Sequence, residues 1–231
     1  MNRWELFYQS DWMALYALWV VPALFLLWAL LAGEGRGARS QRARFLHFWA
    51  LAFALETLID PLATGPMVAE STENVASGVS LLFVLLGDFR VLLLVLFLQE
   101  PGAGLGRGAL RALGFTVAVP VTAWASFNVL EALLGPLSQQ VLWICHELLF
   151  VWLALWLRTQ CRSDRLLGEV LLYVAVYYAL WAVSDLLILE RQDWAWLLRI
   201  LPNQLYYAFF VPFVYVSFDW RAAEASEAPS P

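Results

Sequence analysis

The chain has 231 residues, of which 62% are apolar and 14% charged, with a formal net charge of −5 and a mean hydropathy of +0.68. A soluble domain carries roughly 25% charged residues, so this balance excludes a water-soluble enzyme, a disordered chain and a disulfide scaffold. It reads as a polytopic membrane protein of the all-α class.

The opening stretch MNRWELFYQSDW carries Glu5 and Asp11 and lacks the basic region and small-residue cleavage site of a secretory signal. The first span is therefore expected to insert as its own anchor. A membrane-crossing helix needs about 20 mostly apolar residues. Seven windows satisfy this, approximately 12–33, 45–68, 77–99, 109–134, 138–158, 166–189 and 194–218. Segments such as VVPALFLLWALLAG are apolar on every face, unlike the alternating strands of a barrel.

The second span contains FALETLIDP, with Glu56 and Asp60 one turn apart and on one face. The third contains LLGDFRVLL, with Asp88 and Arg90. Two residues of helix amount to about 200° of rotation, so Arg90 must find its partner on another helix. The fourth span adds Ser126, Asn128 and, near its end, Glu131. The fifth carries Cys145, His146 and Glu147. With Cys161 in a loop, no disulfide between the two cysteines is expected. The sixth carries the stripe Tyr173, Tyr177, Tyr178 and Trp181, then Ser184 and Asp185. Such stripes are usually core packing; the alternative is a cavity wall suited to a flat or cationic ligand. The seventh carries Arg199 at its start and then LPNQLYY, with Asn203, Gln204, Tyr206 and Tyr207. Pro22, Pro120, Pro202 and Pro212 fall within spans, and a kink at Pro202 would aim Asn203 and Gln204 inward. Trp4, Trp12, Trp194, Trp196 and Trp220 fall at the expected interfaces. His47 and Glu169 are expected to be solvated. Residues 221–231 form a small, polar tail expected to be disordered.

Arginine placement sets direction, because basic loops stay cytoplasmic. Arg36, Arg39, Arg42 and Arg44 follow the first span, Arg107 and Arg111 the third, Arg158, Arg162 and Arg165 the fifth, and Arg221 the seventh. The opposite loops hold Glu70, Glu73, Glu190 and Asp193, with Arg191 the lone arginine. The pattern places the N-terminus outside and the C-terminus in the cytoplasm, in a cell (inner) membrane. Since topology accounts for the arginines, no nucleic-acid partner is expected.

A charge at mid-membrane costs on the order of 2.5–3.5 kcal/mol. With these directions, Glu56, Asp60, Asp88, Glu147 and Asp185 all lie between the middle and the outer leaflet, facing Arg90, His146 and Arg199. Polar residues in membranes also serve as interhelical glue, worth about 0.6 kcal/mol each. An excess of acid at one depth, however, requires protons or a bound cation, and points to one shared cavity opening outward. Asp60 and Asp185 are also close enough to the outer surface to be interfacial.

The pieces LLFVLLGDFRVLLL, YYALWAVSDLLIL and LPNQLYYAFFVPFV resemble the Gly-Asp, Ser-Asp and tyrosine-rich last-helix motifs of the YhhN/lysoplasmalogenase-like membrane family. The resemblance implies that Asp88 and Asp185 are functional acids. The chain departs from that family in having no lysine, hence no Lys-Pro element, and only two spans between the aspartates. Glu56 and Asp88 are also similar in placement to acids of integral-membrane terpene cyclases, although Leu55 stands where a Trp-Glu motif would need tryptophan.

The reading that follows is an enzyme acting on a lipid-soluble substrate, a lipid or isoprenoid, by carboxylate acid–base chemistry. Glu56 or Asp88 would be the acid and Asp185 or Glu147 the base. Asp60, Arg90, His146, Asn203, Gln204 and Tyr207 would bind substrate. The alternative class is a proton- or cation-coupled carrier, or a sensor signalling through its basic loops. No cofactor is expected. Absence of lysine closes a retinal Schiff base, and a divalent cation on the carboxylates and His146 is the minor alternative. Expected partners are membrane lipids and the lipid-soluble small molecule.

Overall fold

A computed structural model describes residues 2–32, 38, 40–69, 71–162 and 164–225. Nearly all of them are helical, and among the described residues there is no strand. A short helix α1 (Arg3–Tyr8) precedes a π-helical turn, Trp12–Tyr16, that leads into α2 (Ala17–Ala32). Five long helices follow: α3 (Gln41–Thr64), α4 (Glu73–Gln99), α5 (Leu105–Leu134), α6 (Gln140–Gln160) and α7 (Arg165–Leu189). The last segment is α8 (Ala195–Asn203), a π-helical turn Gln204–Phe209 and α9 (Phe210–Ser217). A final short helix is α10 (Trp220–Ala225).

Among the described residues, six helices are long and apolar enough to cross a membrane, beginning with Trp12–Leu31 and ending with Arg165–Leu189. The expected seventh span, 194–218, is helical from Ala195 to Ser217, but the polar run LPNQLYY keeps it out of that set. Several helices begin before their apolar windows because polar residues cap them. Asn2 accepts the N–H groups of Trp4 and Glu5 at 2.9 and 2.8 Å. Ser40 accepts that of Ala43 at 3.1 Å, and Asp164 that of Leu167 at 3.2 Å.

The bundle has two unlike halves. At one end lie α1 and the turns 65–69, 135–139 and 190–194; at the other lie Arg42, Arg111, Arg158 and Arg165. Towards the arginine end, α4 is enclosed on all sides, and Val91 through Leu98 are buried against Leu46, Phe150, Leu153, Leu167 and Val214. Ion pairs tie that end together, Arg42 with Asp164 at 2.7 Å and Arg111 with Glu100 at 3.1 Å. Helix α5 joins this core through Gly108, Ala112, Thr116, Val119 and Ala123. Gly108 lies so close to α4 that an added Cβ would stand 3.6 Å from the Phe97 Cα.

Three expectations are corrected by the fold. The tail is not unstructured from residue 221: Asp219 caps α10 by accepting the Ala222 N–H at 2.9 Å, and Trp220 packs on Tyr215 and Phe218. The rest of the tail, 226–231, lies outside the described residues, as do Arg36, Arg39 and Glu70. His47 is buried rather than solvated, its Nδ1 lying 3.1 Å from the Tyr215 hydroxyl. Of the expected tryptophan belt, Trp12 and Trp194 are exposed, whereas Trp196 turns inward onto Tyr8, with ring centroids 5.3 Å apart. Cys145 and Cys161 are both free thiols.

Candidate functional site

The buried charges divide into three groups, all on the α1 side of the apolar core. The first is sealed. Arg90 on α4 is fully buried and donates from Nη1 to Glu56 Oε2 at 3.1 Å and to Thr57 Oγ1 at 3.0 Å, both on α3. Its Nη2 donates to the Tyr206 carbonyl at 2.7 Å, and the guanidinium lies 4.2 Å from the Tyr206 ring centroid and 5.4 Å from that of Phe210. The cation thus finds its partners on other helices, as the spacing from Asp88 requires.

That contact depends on the π-helical turn at 204–209. Pro202 removes one backbone donor just before the helix widens. Side chains from elsewhere then reach carbonyls within the turn. Tyr173 on α7 donates to the Leu205 carbonyl at 2.9 Å, and Arg90 to the next one. Tyr206 fits against α4 because residue 87 is glycine. A Cβ there would fall 1.4 Å from the Tyr206 hydroxyl oxygen. Asp60 is buried nearby, one turn before α3 ends at Thr64. The Asp60 carboxyl faces the Tyr207 hydroxyl and Thr64, whose Oγ1 lies 3.3 Å from Oδ1.

The second group joins three helices. Asp88 on α4 accepts a hydrogen bond from the Tyr178 hydroxyl on α7 through Oδ1. His146 on α6 brings Nε2 within 3.2 Å of Asp88 Oδ2, although the contact is not aligned as a hydrogen bond. Phe150 stacks on Tyr178 at 4.3 Å and fixes the floor beneath them.

The third group lies nearer the α1 end. Arg199 on α8 pairs with Asp185 on α7, which is fully buried. Glu147 on α6 faces both. Glu147 Oε2, Asp185 Oδ2 and Arg199 Nε are buried without a hydrogen-bond partner. The Arg199 guanidinium is flanked by Tyr8 at 5.9 Å and Trp196 at 6.0 Å.

A cavity of about 240 Å³ lies between the second and third groups. Its reactive lining is His146, Glu147, Arg199 and Tyr178, and its apolar walls include Trp143, Trp181 and Val84. Asp88 and Asp185 stand immediately behind His146 and Arg199. Tyr8 closes the α1 side. Asn203 holds that closure, accepting from Trp181 Nε1 at 2.8 Å and donating to the Tyr8 hydroxyl at 3.1 Å. A second cavity of about 290 Å³ lies beyond Tyr8, Asn203 and Tyr207, reaching Pro61 and Thr64.

The expected single compartment is therefore subdivided. His146, Glu147, Asn203 and Tyr207 reach the first cavity, and Asp88 and Asp185 support it. Glu56 and Arg90 do not line it, because they pair with each other behind the Tyr206 ring. Asp60 is screened from it by Tyr207. Gln204 sits on the π-helical turn and lines neither cavity. Tyr8, Ser80 and Trp143 also line the cavity and carry no motif. Among the described residues no cluster of three or more His, Cys, Asp or Glu side chains is arranged to hold a metal ion.

The fold defines a helical, multi-pass membrane protein. No family model matches the chain, and no curated protein or solved structure matches it significantly.

Proposed function

We propose that the chain is a seven-helix protein of the cell membrane, with the α1 end outside, that performs acid–base chemistry on a lipid-soluble substrate in the outer leaflet. One observation carries the reading. His146 and Glu147, adjacent on α6, both reach one cavity, and each is backed by a charged neighbour on another helix. Asp88, held by Tyr178, places its negative charge 3.2 Å from the imidazole Nε2 and leaves Nδ1 for chemistry. His146 takes a proton from water or a substrate hydroxyl, and Glu147 returns one to the departing group. Arg199, held by Asp185, positions the polar end of the substrate. The Arg90–Glu56 pair supports the turn that carries Tyr207 and follows Asn203.

A coupled carrier needs a polar route to the opposite face. Beneath the site the side chains from Val91 to Leu98 are buried and apolar, which favours chemistry approached from one side. The acids singled out by the YhhN-like resemblance, Asp88 and Asp185, both support this cavity, in keeping with a lipid enzyme.

The test is incubation of the protein in phosphatidylcholine nanodiscs with glycerophospholipids and polyprenyl lipids, with products read by mass spectrometry. Turnover that Asp88→Asn abolishes while thermal unfolding is unchanged supports the reading. Absence of any product, together with ion-coupled uptake in proteoliposomes that the same substitution abolishes, overturns it in favour of a carrier.

A further inference from the structure

The 240 Å³ cavity is smaller than the roughly 300–1,000 Å³ of sites that enclose a drug-sized ligand. It has room for about eight waters at ~30 Å³ each, enough for a reacting polar end and not for a hydrocarbon tail. A lipid-soluble substrate must therefore leave its tail outside, and the packing of α4 and α5 shows where an opening lies.

Both helices bury side chains fully only towards the arginine end. On α4, no described side chain before Gly87 is buried, whereas Val91 to Leu98 all are. On α5 the order is reversed along the chain and the same in space. Its buried residues end at Ala123, and none from Trp124 to Leu134 is buried. The helices cross tightly where Gly108 meets Phe97, and α5 then returns through the short connection 135–139 to the start of α6. A wedge consequently opens between the free half of α4 and the α5–α6 pair. The cavity reaches this wedge, for Ser80 and Val84 of α4 and Trp143 of α6 line it, and no α5 residue does.

We propose that this wedge is a lateral portal that holds the hydrocarbon tail of a membrane lipid while its polar end enters the cavity between His146, Glu147 and Arg199. The proposal rests on the acid–base reading for what happens inside, but the route itself is testable without turnover. Val84 stands at the neck, where a larger side chain closes the passage without touching the charged groups.

The experiment is photolabelling of the intact protein in nanodiscs of phosphatidylcholine doped with a phosphatidylcholine carrying a diazirine in one acyl chain. Cross-linked peptides containing Ser80 and Trp143 are compared with those containing Val20 and Leu24, which are ordinary exposed positions on α2. The proposal expects labelling at Ser80 and Trp143 several-fold above α2, and a several-fold fall in Val84→Trp with α2 labelling unchanged. Val84→Ala, which keeps the neck open, should label as the parent does. Equal labelling around the bundle, or labelling indifferent to Val84→Trp, overturns the portal. Portal labelling without turnover refutes the enzyme and leaves the portal, while turnover without portal labelling does the reverse.

Discussion

Gly87 and Tyr206 occupy the same space in turn: the tyrosine ring fills the volume that any side chain at position 87 would need, with its hydroxyl 1.4 Å from where a Cβ would stand. The ring so placed covers Arg90 at 4.2 Å. Gly87→Ala must displace a rigid, buried ring. The expected cost is roughly 1–3 kcal/mol from overpacking, measured by thermal unfolding in detergent. In the Tyr206→Leu background the same substitution should cost far less, so the double mutant is less damaged than the sum of the singles. Additivity would show that the two positions do not meet.

The Arg90–Glu56 pair is deeply enclosed, with side-chain exposures of 0% and 8%. Removing one partner of such a pair typically costs about 3–5 kcal/mol, because the other charge is left buried. Arg90→Met should therefore be severely destabilising, and Arg90→Met with Glu56→Gln should recover a large part of the loss. If Glu56→Gln brings no recovery, the salt bridge is not what holds the arginine.

His146 and Asp88 lie 3.2 Å apart and belong to one catalytic unit in the proposed mechanism. Loss of a general acid–base group typically lowers turnover about 10²–10⁴-fold. His146→Gln and Asp88→Asn should each fall in that range, and the double mutant should be no slower than the worse single. Multiplicative losses would mean that the residues act separately. Glu56→Gln, remote from the cavity, should change stability more than turnover.

Orientation is open to direct labelling. With Cys145 and Cys161 replaced, Ser71→Cys and Ser138→Cys on the α1 end should react with a membrane-impermeant maleimide added outside intact cells. Thr159→Cys, on the arginine end, should react only after permeabilisation. The opposite result would put the cavity on the cytoplasmic side and remove the outer-leaflet substrate from the proposal.

Membrane residence, helical class and the positions of the long helices are local properties, since each follows from about 20 apolar residues in succession, and they were legible in the sequence. So was the need for Arg90 to find a partner on another helix, because helical rotation alone carries it away from Asp88. Grouping was not legible. Nothing in the spacing of Glu56, Asp60, Asp88, Glu147 and Asp185 says that Arg90 claims the first, Tyr207 faces the second, and the remaining three gather with His146 and Arg199. Those pairings depend on helix rotation and tilt, which are set by contacts far apart in the chain, such as Gly87 under Tyr206 and Gly108 against Phe97. The tyrosine stripe shows the same division. Periodicity put Tyr173, Tyr177, Tyr178 and Trp181 on one face, but tertiary packing alone decided that Tyr173 would reach the Leu205 carbonyl while Tyr178 holds Asp88. Composition determines the solvent a chain will choose; the division of its buried charges waits on which helices meet.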